Sequence, residues 1–266
     1  LGLVMKRLPI LIFILITPPI TGQAAWNAPN IEERVARLYG AQALFSLRQA
    51  KVCVIGLGGV GSWAVEALAR SGIGHLQLID PDQIIESNVN RQLQALESNF
   101  GKSKATSLAE RIAQINPTTT VAPIETFIEP ANLDSLLHSN WDWIIDCIDQ
   151  LHNKAALIAY CKQQQLNVVS VGGAGGRRDP SQVLVADLSR TTHDPLLSKL
   201  RTQLRRNYGF SRNLNQEFGV PCVFSTETLS IKTAEKRNGY GTIVTVTATY
   251  GFMAASVVIN QLAAAT

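Results

Sequence analysis

The chain has 266 residues, of which 46% are hydrophobic and 17% charged, and a formal net charge of +4. That apolar share excludes a disordered chain, and the length suits one α/β domain with at most a small appendage. Four cysteines exclude a dense disulfide framework, and so mild a positive charge does not by itself mark a nucleic-acid binder.

In chain order, the first segment fits nothing after it. Lys6-Arg7 precede an apolar run from Leu8 to Ile16, then Pro18-Pro19, and Gly22-Gln23-Ala24 has the small residues of a cleavage site. By rule this is a secretory signal, too short to span a membrane comfortably. Residues 1–26 are therefore set apart as a signal-like leader or the product of an overextended translation start. The folded domain is expected at 27–266.

The segment Lys51–Ser62 reads as a short buried strand, a glycine turn and the start of a helix. Gly56, Gly58 and Gly61 fit G-x-G-x-x-G, with Gly59 in addition. Such glycines let the backbone approach a phosphate, and the helix beginning near Val60 turns its free N–H groups and positive dipole end toward it. A second strand, 75–80, ends in Asp80, where a carboxylate can grip a ribose hydroxyl. The motif alone fits an NAD-binding dehydrogenase equally well. The next segment, from Asp80 through Asn88 and Arg91 to Gln92, followed by Gly101-Lys102-Ser103-Lys104, favours a triphosphate. Attack at an α-phosphorus builds negative charge, and Arg91 and Lys104 are spaced to offset it.

Further strands are expected at 119–124, 142–146 and 167–171, and helices at about 60–71, 102–115, 130–138 and 150–164. Alternating strands and helices predict an α/β, Rossmann-like, doubly wound and mostly parallel sheet with helices on both faces. Its ligand belongs at the carboxyl ends of the strands, where the glycine turn, Asp80 and Asp149 fall. Asp146, just before Asp149, is expected to serve local structure. Cys53, Cys147 and Cys161 read as inert small hydrophobes, and Cys222 is read the same way in preference to a reactive thiol. No C-x-x-C pair exists, so a four-cysteine zinc site cannot be built.

After the fifth strand come Gly172-Gly173-Ala174-Gly175-Gly176-Arg177-Arg178 and a basic helix holding Lys199, Arg201, Arg205 and Arg206, with Arg212 beyond. The region 175–240 is expected to bind substrate, and its clustered charge suits a phosphate backbone. Lys232, Lys236 and Arg237 flank Asn238-Gly239-Tyr240-Gly241, which reads as a loop within reach of substrate. The uncharged stretch from Tyr240 to Thr266 is expected to hold a buried strand and a helix.

From Arg34 to Leu262 the chain resembles the ThiF/MoeB adenylating enzymes related to ubiquitin activators. The resemblance implies that the glycine turn, Asp80, Asn88, Arg91 and Lys104 line an ATP site, that Asp149 helps hold Mg²⁺, and that Arg37 reaches the phosphates of a partner subunit in a homodimer. Many sulfur-carrier-activating relatives hold zinc on two C-x-x-C pairs, absent here. The second-half motifs, including Asp194-Pro195-Leu196 and Cys222-Val223-Phe224-Ser225-Thr226-Glu227, are similar to the tRNA threonylcarbamoyladenosine dehydratases. That likeness implies ATP-dependent cyclisation of N6-threonylcarbamoyladenosine in tRNA, in the cytoplasm, with a sulfur-relay protein as a further potential partner. An exported enzyme would meet neither ATP nor tRNA, so the leader conflicts with this reading, and a membrane tether stays open. The alternatives are adenylation of the C-terminal glycine of a ubiquitin-like sulfur carrier, an NAD-dependent oxidoreductase, and a non-catalytic scaffold.

Overall fold

The computed structural model describes residues 29–137, 140–229 and 240–265. The leader and the loop residues Lys232, Lys236, Arg237, Asn238 and Gly239 lie outside them. The chain opens with helices α1 (Pro29–Tyr39) and α2 (Ala41–Gln49). Next come β1 (Lys51–Ile55), α3 (Gly61–Arg70), β2 (His75–Ile79), α4 (Lys104–Ile115) and β3 (Thr120–Ile124). A short α5 (Leu133–Leu136) leads to β4 (Trp143–Asp146), α6 (Leu151–Gln163) and β5 (Asn167–Val171). The second half adds β6 (Val183–Asp187), α7 (Pro195–Asn207), β7 (Pro221–Ser225) and α8 (Val244–Ala264).

The seven strands lie in the order β3-β2-β1-β4-β5-β7-β6. All neighbours are parallel except β6, which runs antiparallel to β7 at the edge. Side-chain alternation splits the core in two. Val52, Val54, Leu76, Leu78, Ile145, Val169 and Val171 face α3, α4 and α8. Cys53, Ile55, Ile79, Ile144 and Val168 face α6 and α7. A near-continuous apolar strand such as Val52–Ile55 is what a sheet covered on both faces demands. The five expected strands and the two-faced α/β architecture are as the sequence predicts.

Two features differ. Strands β6 and β7 extend the sheet beyond the five expected. The stretch after Tyr240 holds no strand in its described part: residues 244–264 form one helix. Its β-branched run favours a strand locally, but tertiary packing decides. Gly251 sits so close to Val60 and Ala64 that any side chain there would meet their backbone, which seats α8 against the start of α3. Half of the apolar stretch of α8 is buried, as befits a core helix.

Candidate active site

Strands β1 and β4 are neighbours whose following helices go to opposite faces, so a crevice opens beyond their carboxyl ends. It forms a cavity of about 770 Å³. Gly56, Gly58, Gly59, Asp80, Asn88, Arg91, Lys104 and Asp149 all line it. The chain thus gathers eight of the ten expected site residues in one place.

The glycines differ in purpose. Gly56 has φ +86°, and a Cβ would come within 2.8 Å of the Cys147 carbonyl oxygen, so the turn passes directly over β4. At Gly59 a Cβ would sit 2.9 Å from Arg91 Cγ, because the arginine stem lies across the loop. Gly61 is outside the cavity lining: it begins α3, and a side chain there would run into the Gly56 carbonyl. Its place in the pattern is explained by helix-to-turn packing.

Asp80 follows β2 and is 5% exposed. Its Oδ2 accepts from Leu57 N at 2.6 Å and its Oδ1 from Asp82 N at 2.9 Å. Burial pushes its pKa up, while Lys104 and the two amides pull it back. Lys104 Nζ lies 2.7 Å from Asp82 Oδ2 and 3.8 Å from Asp80 Oδ1, buried at the start of α4. Ser103 caps that helix by accepting from Thr106 N. Asn88 is buried and accepts from Ile85 N, closing the turn that carries Arg91. Arg91 Nη1 donates to Ser87 O at 2.8 Å and Asn90 Oδ1 at 2.9 Å, and its own carbonyl accepts from Trp63 Nε1.

Asp149 is exposed to the cavity, and its carboxylate has no partner among the described residues. Its loop is held from below. Asp146 and Lys154, both fully buried, pair at 2.8 Å. Lys154 Nζ also donates to Ile148 O, Asp146 Oδ1 accepts from Ile148 N, and Asp146 Oδ2 accepts from Ser170 Oγ. Asp146 therefore has the structural role expected of it. No group of three His, Cys, Asp or Glu side chains able to hold a metal occurs among the described residues. A single unpaired carboxylate beside a glycine turn at a helix start still fits Mg²⁺, which commonly takes one or two carboxylates and fills its shell with phosphates and water.

Arg37 is not brought to this cavity: its exposed side chain pairs with Glu33 one turn away on α1. Burial pushes the Cys147 thiol up to about 12 and those of Cys53, Cys161 and Cys222 higher still. Cys222 is fully buried in β7, so it is a packing residue.

Several lining residues were not singled out from the sequence. Gln92 is buried beside Gly58, and its Oε1 has no partner among the described residues. Thr126 and Phe127 enter after β3, Gly172 to Gly175 after β5, and Thr242 and Thr247 before and within α8. The glycine run was a usable signal for the β5 end. Nothing local pointed to Thr247.

This arrangement defines a nucleotide-binding adenylating enzyme. A backbone turn at a helix start, two cations and one unpaired carboxylate are what a triphosphate activated at its α-phosphorus requires. The ThiF family model matches residues 32–265. The Haemophilus influenzae tRNA threonylcarbamoyladenosine dehydratase is 48% identical over 246 residues, covering 88% of this chain and 94% of that protein. Its Escherichia coli K12 counterpart is 46% identical, covering 86% and 92%. The crystal structure of E. coli tRNA N6-threonylcarbamoyladenosine dehydratase, TcdA, in complex with ATP superposes with a TM-score of 0.85 at 44% identity, covering 92% of this chain and 98% of that one. The chain belongs to the ThiF family, within its tRNA threonylcarbamoyladenosine dehydratase branch.

Proposed function

We propose that this protein is an ATP-dependent tRNA threonylcarbamoyladenosine dehydratase, acting through adenylation of the threonine carboxylate. The observation that carries it is the convergence of the glycine turn, Asp80, Arg91, Lys104 and Asp149 on one cavity. A carboxylate is a poor electrophile with a poor leaving group. Its oxygen attacks the α-phosphorus of ATP, a P–O bond to pyrophosphate breaks, and an acyl adenylate forms. The urea portion of the same side chain then attacks the activated carbonyl, AMP departs with the C–O electron pair, and the nucleophile's proton goes to solvent. The nucleoside has lost one water, taken up in splitting ATP to AMP and pyrophosphate. Ring closure is intramolecular, so positioning supplies much of the rate.

In this reading the ribose hydroxyls meet Asp80, and the backbone at Gly56, Gly58 and Gly59 holds phosphate oxygens with Asn88 nearby. Arg91 and Lys104 offset the charge building on the phosphates. Lys104 exchanges part of its contact with Asp82 for phosphate. Asp149 holds Mg²⁺, which when bound neutralises charge on the phosphate oxygens. No cysteine intermediate is needed, consistent with Cys53, Cys161 and Cys222 being buried and Cys147 half-buried.

The substrate region at about 175–240 offers Lys199 and Arg206, both exposed on α7, to tRNA. A homodimer brings Arg37 to the partner's phosphates. Exposed Leu38 and Phe45 on α1 and α2, together with Phe252 on α8, give that dimer an apolar surface to bury. The cytoplasm is the compartment that supplies both substrates.

The test is mass spectrometry of tRNA nucleosides after incubation with ATP, Mg²⁺ and threonylcarbamoylated tRNA. The expected result is ATP-dependent loss of one water, abolished in Arg91→Ala and Asp149→Ala. Intact nucleotide binding without a mass change overturns the proposal in favour of sulfur-carrier adenylation, for which carrier-dependent pyrophosphate exchange is the readout.

A further inference from the structure

The cavity runs past five strand ends, and each end carries a half-exposed aromatic ring. Its floor follows the carboxyl ends of β3, β2, β1, β4 and β5 in turn. Neighbouring strands lie about 4.8 Å apart, so the β3 and β5 ends are separated by roughly 19 Å. Phe127, 50% exposed, stands at the β3 end. Tyr240, 49% exposed, stands at the β5 end beside Gly175. One purine cannot use both rings.

Asp80 decides which ring serves ATP. Its carboxylate follows β2, next to β3, so a ribose held there directs its base toward Phe127 and its phosphates toward the glycine turn and Asp149. The α-phosphorus is then approached from the β5 side. That side is built largely of bare backbone, at Gly172, Gly173 and Gly175, with Leu196, Thr242 and buried Thr247 around it.

Tyr240 is fixed in place despite its exposure. Gly176 N donates to Gly241 O at 2.8 Å, and Asn90 Nδ2 donates to Thr242 O at 2.9 Å, tying the segment to both walls of the cavity. Gly175 has no Cβ because one would lie 2.8 Å from Tyr240 Cβ, so the ring's stem rests on the glycine backbone. The hydroxyl makes no hydrogen bond among the described residues, leaving the ring face as the useful feature. A rigid aromatic face at the mouth of a site for an unstacked base is a stacking platform.

The geometry points to an acceptor subsite at the β5 end, in which Tyr240 stacks on the purine of the RNA nucleoside being modified, while Phe127 lies toward the adenine of ATP. This rests on the dehydratase reading and adds where the RNA base sits. Steady-state kinetics of wild type, Tyr240→Ala, Tyr240→Phe and Phe127→Ala, varying tRNA and ATP separately, test it. Binding of an anticodon stem-loop by fluorescence anisotropy gives a readout independent of turnover.

Tyr240→Ala is expected to raise the tRNA KM and the stem-loop Kd about tenfold, the loss of one base–aromatic stack, with the ATP KM unmoved. Tyr240→Phe keeps the ring face and stays near wild type. Phe127→Ala moves the ATP KM instead. An ATP KM raised in Tyr240→Ala, or a tRNA KM left unchanged in active protein, overturns the subsite alone. Wild-type protein unable to dehydrate the tRNA overturns the underlying reading, and the subsite falls with it.

Discussion

Gly59 illustrates how much one absent carbon can decide. The Arg91 stem crosses the glycine turn where a Cβ would stand, 2.9 Å from Arg91 Cγ. Gly59→Ala therefore displaces the arginine stem, and with it the guanidinium that donates to Ser87 and Asn90. Because the new neighbour is a flexible side chain, stability changes little, whereas the guanidinium shifts relative to the phosphates. We expect kcat/KM to fall by about ten- to a hundredfold with the melting temperature nearly unchanged, since a small misplacement of a charge-stabilising group is costly. Gly56→Ala is the contrast: the neighbour is Cys147 backbone at 2.8 Å and φ is +86°, so both stability and activity should drop. Thermal melts beside steady-state kinetics check both. A Gly59→Ala enzyme with full activity would remove Arg91 from the chemistry.

At the level of elements, α3 and α4 are clamped by Glu66. Its side chain is 8% exposed, takes a bidentate contact from Arg111 at 2.7 and 2.9 Å, and accepts from Arg70 at 2.8 Å. Burial alone would raise its pKa, but the hydrogen bonds and charges of Arg111 and Arg70 outweigh it and hold the carboxyl below its ordinary 4.5. A folded pKa below the unfolded one means stability present above about 4.5 and lost as pH falls through the folded value. Urea melts at neutral pH and at pH values below the unfolded pKa should show an acid-dependent loss in wild type that is smaller in Glu66→Gln. Equal pH dependence in the two proteins would assign the loss to other carboxylates.

The same scale shows what the sequence could disclose. Strands β1, β2, β4 and β5 are mostly buried runs bounded by turn residues, legible because burial on both faces sets their pattern, while β3 at the far edge is only partly buried. β6 alternates less clearly, with Leu184 and Val185 exposed at the sheet edge, and β7 begins at Pro221 after a long connection. Their pairing is a tertiary fact. So is the helix at Val244–Ala264, whose threonines and valines read as a strand until α3 is there to pack on. In the site, Asp80, Arg91, Lys104 and Asp149 are legible because each follows a recognisable strand or opens a helix. Gln92 is not, because burial beside Gly58 places it, and for Tyr240 the sequence offers a loop within reach of substrate but not the support by Gly175 that sets its ring.

For the whole molecule, the fold sorts the basic residues that composition lumps together. Arg177, 2% exposed, donates to the carbonyls of Gly173, Ser225, Glu227 and His193 and lies 3.5 Å from Asp194, so it is internal bracing. Arg205 lies over Phe218 and donates to Ser211 O, and Arg201 is half-buried against Thr191. Lys199 and Arg206 remain exposed on α7, whose first turn reaches the cavity through Leu196. An RNA with its modified base in the cavity can then lay its backbone along α7. Reversing both charges, Lys199→Glu with Arg206→Glu, should weaken tRNA binding and leave the ATP KM and thermal stability unchanged. Each lost phosphate contact removes about 0.7 to 0.9 from the slope of log K against log salt, so the slope should become shallower by roughly 1 to 2. Arg177→Ala should do the opposite, costing about 3–5 kcal/mol of stability by taking the charged partner from buried Asp194 and the donor from four carbonyls. Filter binding across a salt series decides: a double variant with the wild-type slope would mean that tRNA does not run along α7.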